Sequence, residues 1–251
     1  MGRSVLHWVC VFALGAVPLV GCQEVVELTT IPFFIVESDS ESLPDVTAPP
    51  SEGVQICQLD TDNCVTTDEM GEADLVVPSN QEVAYTFEKE GFGSRLSGDV
   101  TDPTFAGGSF TWILYANERL EAIAAQLGTP YPLEGSIVAL VSFVGTRGDE
   151  GPAGATFTPV TSGTVGEAFY FDSATGQYSL DLEATTATTS TARLPLAQGG
   201  FTEVAPGEQQ FEFGGTRSNC VASWAWPGDA PNTIRIPVRD GFISYGSIVC
   251  D

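Results

Sequence analysis

Few side chains in this sequence are placed to do chemistry or to bind, and most are tryptophan, cysteine or acid. Trp224 and Trp226 stand at i and i+2 in Trp-Ala-Trp-Pro-Gly-Asp, a spacing that puts both indoles on one face of an extended strand. Asp229 and Asn232 follow in a turn-rich loop. Indole faces supply stacking area for a sugar ring, and a carboxylate with an amide supplies orientation. The expected ligand surface, for a glycan or another protein, is therefore Trp224, Trp226, Asp229 and Asn232. The competing use of two such rings is to fill a small β core beside Cys220.

Beyond the first 22 residues the cysteines are Cys57, Cys64, Cys220 and Cys250. An even set suits an oxidising compartment and a disulfide framework. The spacing favours Cys57–Cys64 and Cys220–Cys250 over the two other pairings that four cysteines allow. Those bridges close loops of about 8 and about 31 residues, worth about 2.5 and about 3.7 kcal/mol by the chain-entropy argument.

The sole histidine is His7. Ser-His-Asp and Cys-His hydrolysis therefore lack their base in the body of the chain, and histidine-built zinc or iron sites are excluded there. No GxSxG is present; Gly93 to Gly98 does not fit the spacing. With 33 Asp and Glu, a carboxylate-dependent hydrolase such as a glycosidase stays open as the alternative reading. Asp60-Thr61-Asp62-Asn63 fails the EF-hand pattern, because Cys64 and Val65 stand where a ligand and a glycine belong. A weak calcium site near Asp60 and Asp62, with Asp68 and Glu69, stays open too. No metal or cofactor is expected. Lys89, flanked by Glu88 and Glu90, reads as exposed.

These groups must be held by strands. In Thr66 to Phe92, Val83, Tyr85 and Phe87 alternate with Ala84, Thr86 and Glu88, which predicts a strand with one apolar face. A preceding run reaches Pro78, and the two are expected to be neighbours in one half-buried sheet, joined at a Pro78-Ser79-Asn80 corner. The pattern returns in Gly199 to Phe213. Val76, Pro78, Val83 and Tyr85 correspond to Val204, Pro206, Phe211 and Phe213, and Gly71 and Gly199 lie the same distance ahead of each proline. Two copies of one small β-domain are expected.

Elsewhere, 28–36 predicts a first strand with Pro32 at an edge position, and 53–57 the next. Residues 94–109 read as loop and 110–115 as a strand. Asn117 to Leu127 reads as a helix with Asn117 as N-cap, Gly128 after its end, and Leu120, Ile123, Ala124 and Leu127 on one face. The continuous apolar run 137–144 predicts a central strand. Further strands are expected at 154–158, 169–171 and 178–182, with a low-complexity exposed loop or extended strand edge over 185–192.

The segments "TDEMGEADLVVP…VAYTFEKEGF" and "GGFTEVAPGEQQFEF" resemble the carboxypeptidase regulatory-like, or prealbumin-like, β-sandwich family. The resemblance covers most of 29–95 and 133–251 and implies a fold, not a reaction. The expected fold class is all-β: two tandem prealbumin-like sandwiches and one connecting helix. The expected divisions are 1–21, an acidic tether 22–52 holding the first strand, 53–116, a helix and loop 117–132, and 133–251. At the front, Arg3 precedes an apolar run too short to span a membrane. Leu19-Val20-Gly21-Cys22 resembles the lipobox of bacterial lipoprotein signal peptides. It implies removal of 1–21 and lipidation of Cys22, with Gln23 implying sorting to the outer membrane. Removal of Arg3 leaves 8 basic residues (9 − 1) against 33 acidic ones, a net charge of −25. That charge repels nucleic acid and anionic headgroups. The sequence is thus read as a non-catalytic, lipid-anchored envelope protein with a structural or binding role, its partners the membrane and a glycan or envelope protein.

Overall fold

The computed structural model describes residues 8–10, 22–24, 26–38, 48–101, 110–132, 138–144, 154–163, 165–172, 174–186, 196–215 and 220–249. In chain order the strands are β1 (Trp8–Cys10), β2 (Cys22–Glu24), β3 (Leu28–Ser38), β4 (Gln55–Gln58), β5 (Cys64–Thr66), β6 (Glu72–Pro78), β7 (Glu82–Glu88), β8 (Arg95–Val100) and β9 (Phe110–Tyr115). Helix α1 (Asn117–Gln126) follows. Then come β10 (Val138–Val144), β11 (Thr156–Pro159), β12 (Ala168–Asp172), β13 (Gln177–Ser179), β14 (Leu196–Phe201), β15 (Gly207–Gly214), β16 (Val221–Ser223), β17 (Trp226–Pro227), β18 (Thr233–Val238) and β19 (Ile243–Val249). β1 and β2 form a separate antiparallel pair.

Among the described residues one large sheet runs through both halves in the order β13-β12-β14-β10-β19-β8-β7-β4-β5, with β16 also on β19. A three-stranded sheet, β6-β3-β9, covers its N-terminal part, and a four-stranded sheet, β11-β15-β18-β17, covers its C-terminal part. The fold is all-β, two packed sandwiches joined through a common sheet. The joining strand is β19, parallel to β10 and β8: Val138 to Val144 pair with Ile243 to Val249, and Arg95 to Ser97 with Ile243 to Tyr245.

Each half has its own core. In the first, Val83, Tyr85 and Phe87 are buried as their alternation requires. Phe33 meets Tyr85 and Phe87 edge-on at 5.1 and 5.7 Å, and Phe87 stacks on Trp112 at 4.9 Å. In the second, Phe211 and Phe213 are buried with Phe157, Ile234 and Ile236, and Phe201 stacks on Phe211 at 5.2 Å. A smaller cluster of Leu120, Leu127, Phe169 and Ile243 docks α1 at the joint.

Several expectations are corrected. β6 and β7 lie in opposite sheets. The Pro78–Asn80 corner crosses between layers, with Asn80 at φ 54 and its N–H on the Thr101 carbonyl at 2.6 Å. The repeat fails in register: Val76 points outward while Leu75 and Val77 are buried, yet Val204 is buried. The reason is topological, since β6→β7 passes from the small sheet to the large one and β14→β15 passes the other way. β3 is central in its sheet, and among the described residues its ladder with β9 starts at Phe33, one residue past Pro32.

Residues 95–100, read as loop, form β8, because β7 and β19 pair with both of its sides. Asn117 is the first helical residue rather than the cap; its side-chain oxygen accepts from the Tyr131 hydroxyl at 2.5 Å. Gly128, at φ +63, follows the helix as expected. Within the stretch expected as tether, Ser51 is buried and its N–H bonds the Ile35 carbonyl at 2.9 Å. Lys89 is not free: it pairs with Glu37 and donates to Ser51 Oγ at 3.2 Å. Thr185 is buried, its N–H on the Ala155 carbonyl at 2.9 Å, while 187–192 lie outside the described residues.

Cys57 and Cys64 face each other across β4 and β5 and are disulfide-bonded, with Cα atoms 4.1 Å apart. Cys220 is also disulfide-bonded. Its expected partner, Cys250, lies outside the described residues.

Candidate functional site

The chemically distinctive side chains converge where the two sandwiches meet. β8 supplies the platform. Its alternation sends Arg95, Ser97 and Asp99 toward one face and Leu96 and Gly98 toward the other. On the first face the Arg95 guanidinium lies 3.9 Å from the Tyr245 ring, 4.7 Å from Trp112 and 6.0 Å from Phe87. One nitrogen donates to the Ile113 carbonyl at 3.0 Å, and Nε is buried without a hydrogen-bond partner. Burial pushes the Arg95 pKa down, and it pushes those of Tyr245 and Tyr115 up. Aromatic faces rather than a carboxylate surround this cation.

The segment 223–227 acts as a stitch. At Trp224 the backbone adopts φ +54, which breaks the strand expected to carry both indoles. The Trp224 ring then packs on Trp112 of the first core at 5.3 Å, and its carbonyl accepts from Ser97 Oγ at 3.3 Å. Ala225 is buried in the second core. Trp226 returns to the N-terminal half: its indole N–H donates to the Val83 carbonyl at 2.9 Å, and its ring lies over Gly98. Gly98 is opposite Ala84 in the β7–β8 ladder, so two small residues make the hollow the indole occupies. Arg235 lies beside Trp226 and pairs with Glu82 of the N-terminal half and with Glu208.

The two rings expected to form a sugar platform sit at this joint. Trp224 and Trp226 are half-buried and turned into the joint, because a strand break at Trp224 and the Ala84–Gly98 hollow draw both rings to the N-terminal sandwich. Asp229 is exposed. Asn232 sits at φ 60 and accepts from the Cys220 N–H at 3.1 Å, a turn-forming role. Asp60 faces Arg239 at 3.5 Å, and Asp68 Oδ1 accepts from the N–H groups of Met70 and Glu72 at 2.9 Å. Among the described residues no cluster of metal-ligating side chains forms.

Arg95 and Asp99 were not picked out from sequence. Gly-Ser-Arg-Leu-Ser-Gly-Asp reads as loop. Asp99 stands opposite Val83, and desolvation pushes its carboxyl from 3.8 up to about 6, against a backbone hydrogen bond from Val100 that lowers it. No second carboxylate contributes to that shift. Because the folded value lies above the unfolded one, this group stabilises the fold at low pH, and that stability is lost as pH rises through about 6. The full swing is at most about 3 kcal/mol. Asp99→Asn should raise the melting temperature at pH 7.5 and flatten the wild-type decline between pH 4 and 6.5. Matching melting curves for the two proteins across that range would show that Asp99 is not desolvated.

No family model matches this chain, and no curated protein matches it. Among solved structures it is similar to the shaft pilin SpaA from Lactobacillus rhamnosus GG, with 12% identity, 90% of this chain and 98% of that one covered, and a TM-score of 0.27. It is similar also to GBS52, the minor pilin of Streptococcus agalactiae, with 12% identity, 88% and 95% covered, and a TM-score of 0.24. The Bacillus anthracis TIE protein gives 11% identity, 88% and 34% covered, and a TM-score of 0.25. Overlaps this slight carry no argument about family or function.

Proposed function

We propose that the chain is a non-catalytic, lipid-anchored protein of the bacterial cell envelope, two prealbumin-like sandwiches held at the outer membrane through Cys22. The observation that carries the reading is the stitched joint. Trp224, Trp226 and Arg95, the side chains with most binding potential, are spent on fixing one sandwich against the other. A rigid two-part body suits a structural or binding role, with a glycan or another envelope protein as partner. The acidic balance, 33 acids against 9 basic residues, disfavours an anionic ligand. The bonded Cys57–Cys64 pair suits an exported protein. Leu19-Val20-Gly21-Cys22 supplies the anchor.

The test is mass spectrometry of protein extracted from membranes of the native host. The expected N-terminal peptide starts at Cys22 and carries acyl mass. A chain starting elsewhere, or an unmodified Cys22, overturns the anchor.

A further inference from the structure

The outer face of the β6-β3-β9 sheet carries its exposed apolar side chains at one end and its acids, Glu72 and Asp74, at the other. Its inward residues, among them Phe33, Ile35 and Leu75, are buried in the first core. Outward, β3 presents Leu28, Thr30, Pro32 and Phe34. The ladder sets Leu28 opposite Pro78 and Thr30 opposite Val76, so the apolar side chains gather at the end where β3 begins. Leu28 is 63% exposed, Val26 51% and Val76 48%. The acids of β6, Asp74 and Glu72, pair with Pro32 and Phe34 toward the other end. Only Glu27 interrupts the apolar end in sequence.

That end is also the one nearest Cys22. Six peptide steps separate Cys22 from Leu28, a reach of at most about 20 Å even when extended. A 30-residue tether would let the body drift freely; a leash this short does not. On the lipid-anchor reading given above, on which this inference rests, we propose that Val26, Leu28 and Val76 form a second membrane contact that lies on the bilayer surface beside the acylated Cys22. Acyl chains hold the chain at the surface, and exposed apolar side chains beside the anchor add buried apolar area to that attachment. The occupant is a bilayer of electrically neutral headgroups, because the acidic body is repelled by anionic ones.

The experiment uses the full acylated protein in phosphatidylcholine vesicles whose acyl chains carry bromine, a short-range tryptophan quencher. Leu28→Trp places a reporter in the contact. Val160→Trp places one at an exposed position of the C-terminal half, where Val160 is 50% exposed. After subtraction of the unsubstituted protein, the Leu28→Trp signal should be quenched at least about twofold more than the Val160→Trp signal, with the contrast shrinking when anionic lipid is added. Equal quenching in protein with acyl mass on Cys22 overturns the contact and leaves the anchor standing. Protein without acyl mass on Cys22 overturns the anchor and the contact together. A Leu28→Trp reporter shielded from both bromine and acrylamide marks a protein partner on this face, and overturns the bilayer as occupant.

Discussion

Phe87→Asp will leave the N-terminal sandwich without a cooperative melting transition and without the near-ultraviolet signal of packed aromatic rings. Phe87 is fully buried, stacked on Trp112 and edge-on to Phe33, with the Arg95 guanidinium near its ring. Removing the ring alone costs about 3–5 kcal/mol. A carboxylate in its place adds a desolvation cost that the Arg95 guanidinium across the ladder offsets only in part. The sum reaches the whole stability of an ordinary domain, about 5–15 kcal/mol. Phe87→Leu is the control, expected to cost about 1–2 kcal/mol and to keep a single sharp transition. A Phe87→Asp protein that melts with the wild type would place residue 87 outside the core.

The second large effect is at Gly98. A Cβ there would lie 3.1 Å from Trp226 Nε1 and 3.2 Å from Pro237 Cδ. A leucine side chain leaves no room for the indole, so Gly98→Leu must expel Trp226 and break its bond to the Val83 carbonyl. Overpacking together with a lost buried hydrogen bond costs about 3 kcal/mol, and Trp226 becomes open to acrylamide. Calorimetry should then resolve two transitions in place of the single one expected of the wild type. Trp226→Ala in the same chain relieves the clash, so the double variant should cost less than the two single changes added together. Simple additivity would mean that the indole does not rest on Gly98.

What the sequence revealed and what it hid divide along a physical line. Local signals were readable. The alternation of Val83, Tyr85 and Phe87 located a core strand, the Cys57–Cys64 spacing located a bridged hairpin, and Gly128 marked a helix end. β8 was not readable, because Arg-Leu-Ser-Gly-Asp-Val has no strand periodicity of its own and is extended only by partners at 82–88 and 243–245. The parallel pairs made by β19 likewise carry no local trace. The binding reading of Trp224 and Trp226 assumed a straight strand. A left-handed backbone at a tryptophan is rare, and no neighbouring residue announces it. The apparent repeat misled for a related reason: a proline corner and an aromatic strand recur wherever a chain crosses between layers, whichever layer it leaves.

β19 also sets the order in which the molecule can assemble. It lies between β8 and β10 in space but after both in the chain, with residues 95–97 waiting for residues 243–245. Contacts of such sequence separation form late and slowly. Until they form, both β8 and β10 expose unpaired backbone edges, the usual starting point for pairing with the wrong chain. A polypeptide threaded through a membrane from its N-terminus would cross with its main sheet split in two. Its period of greatest risk is the interval between the emergence of β8 and the arrival of β19, when a holding chaperone would have most to protect.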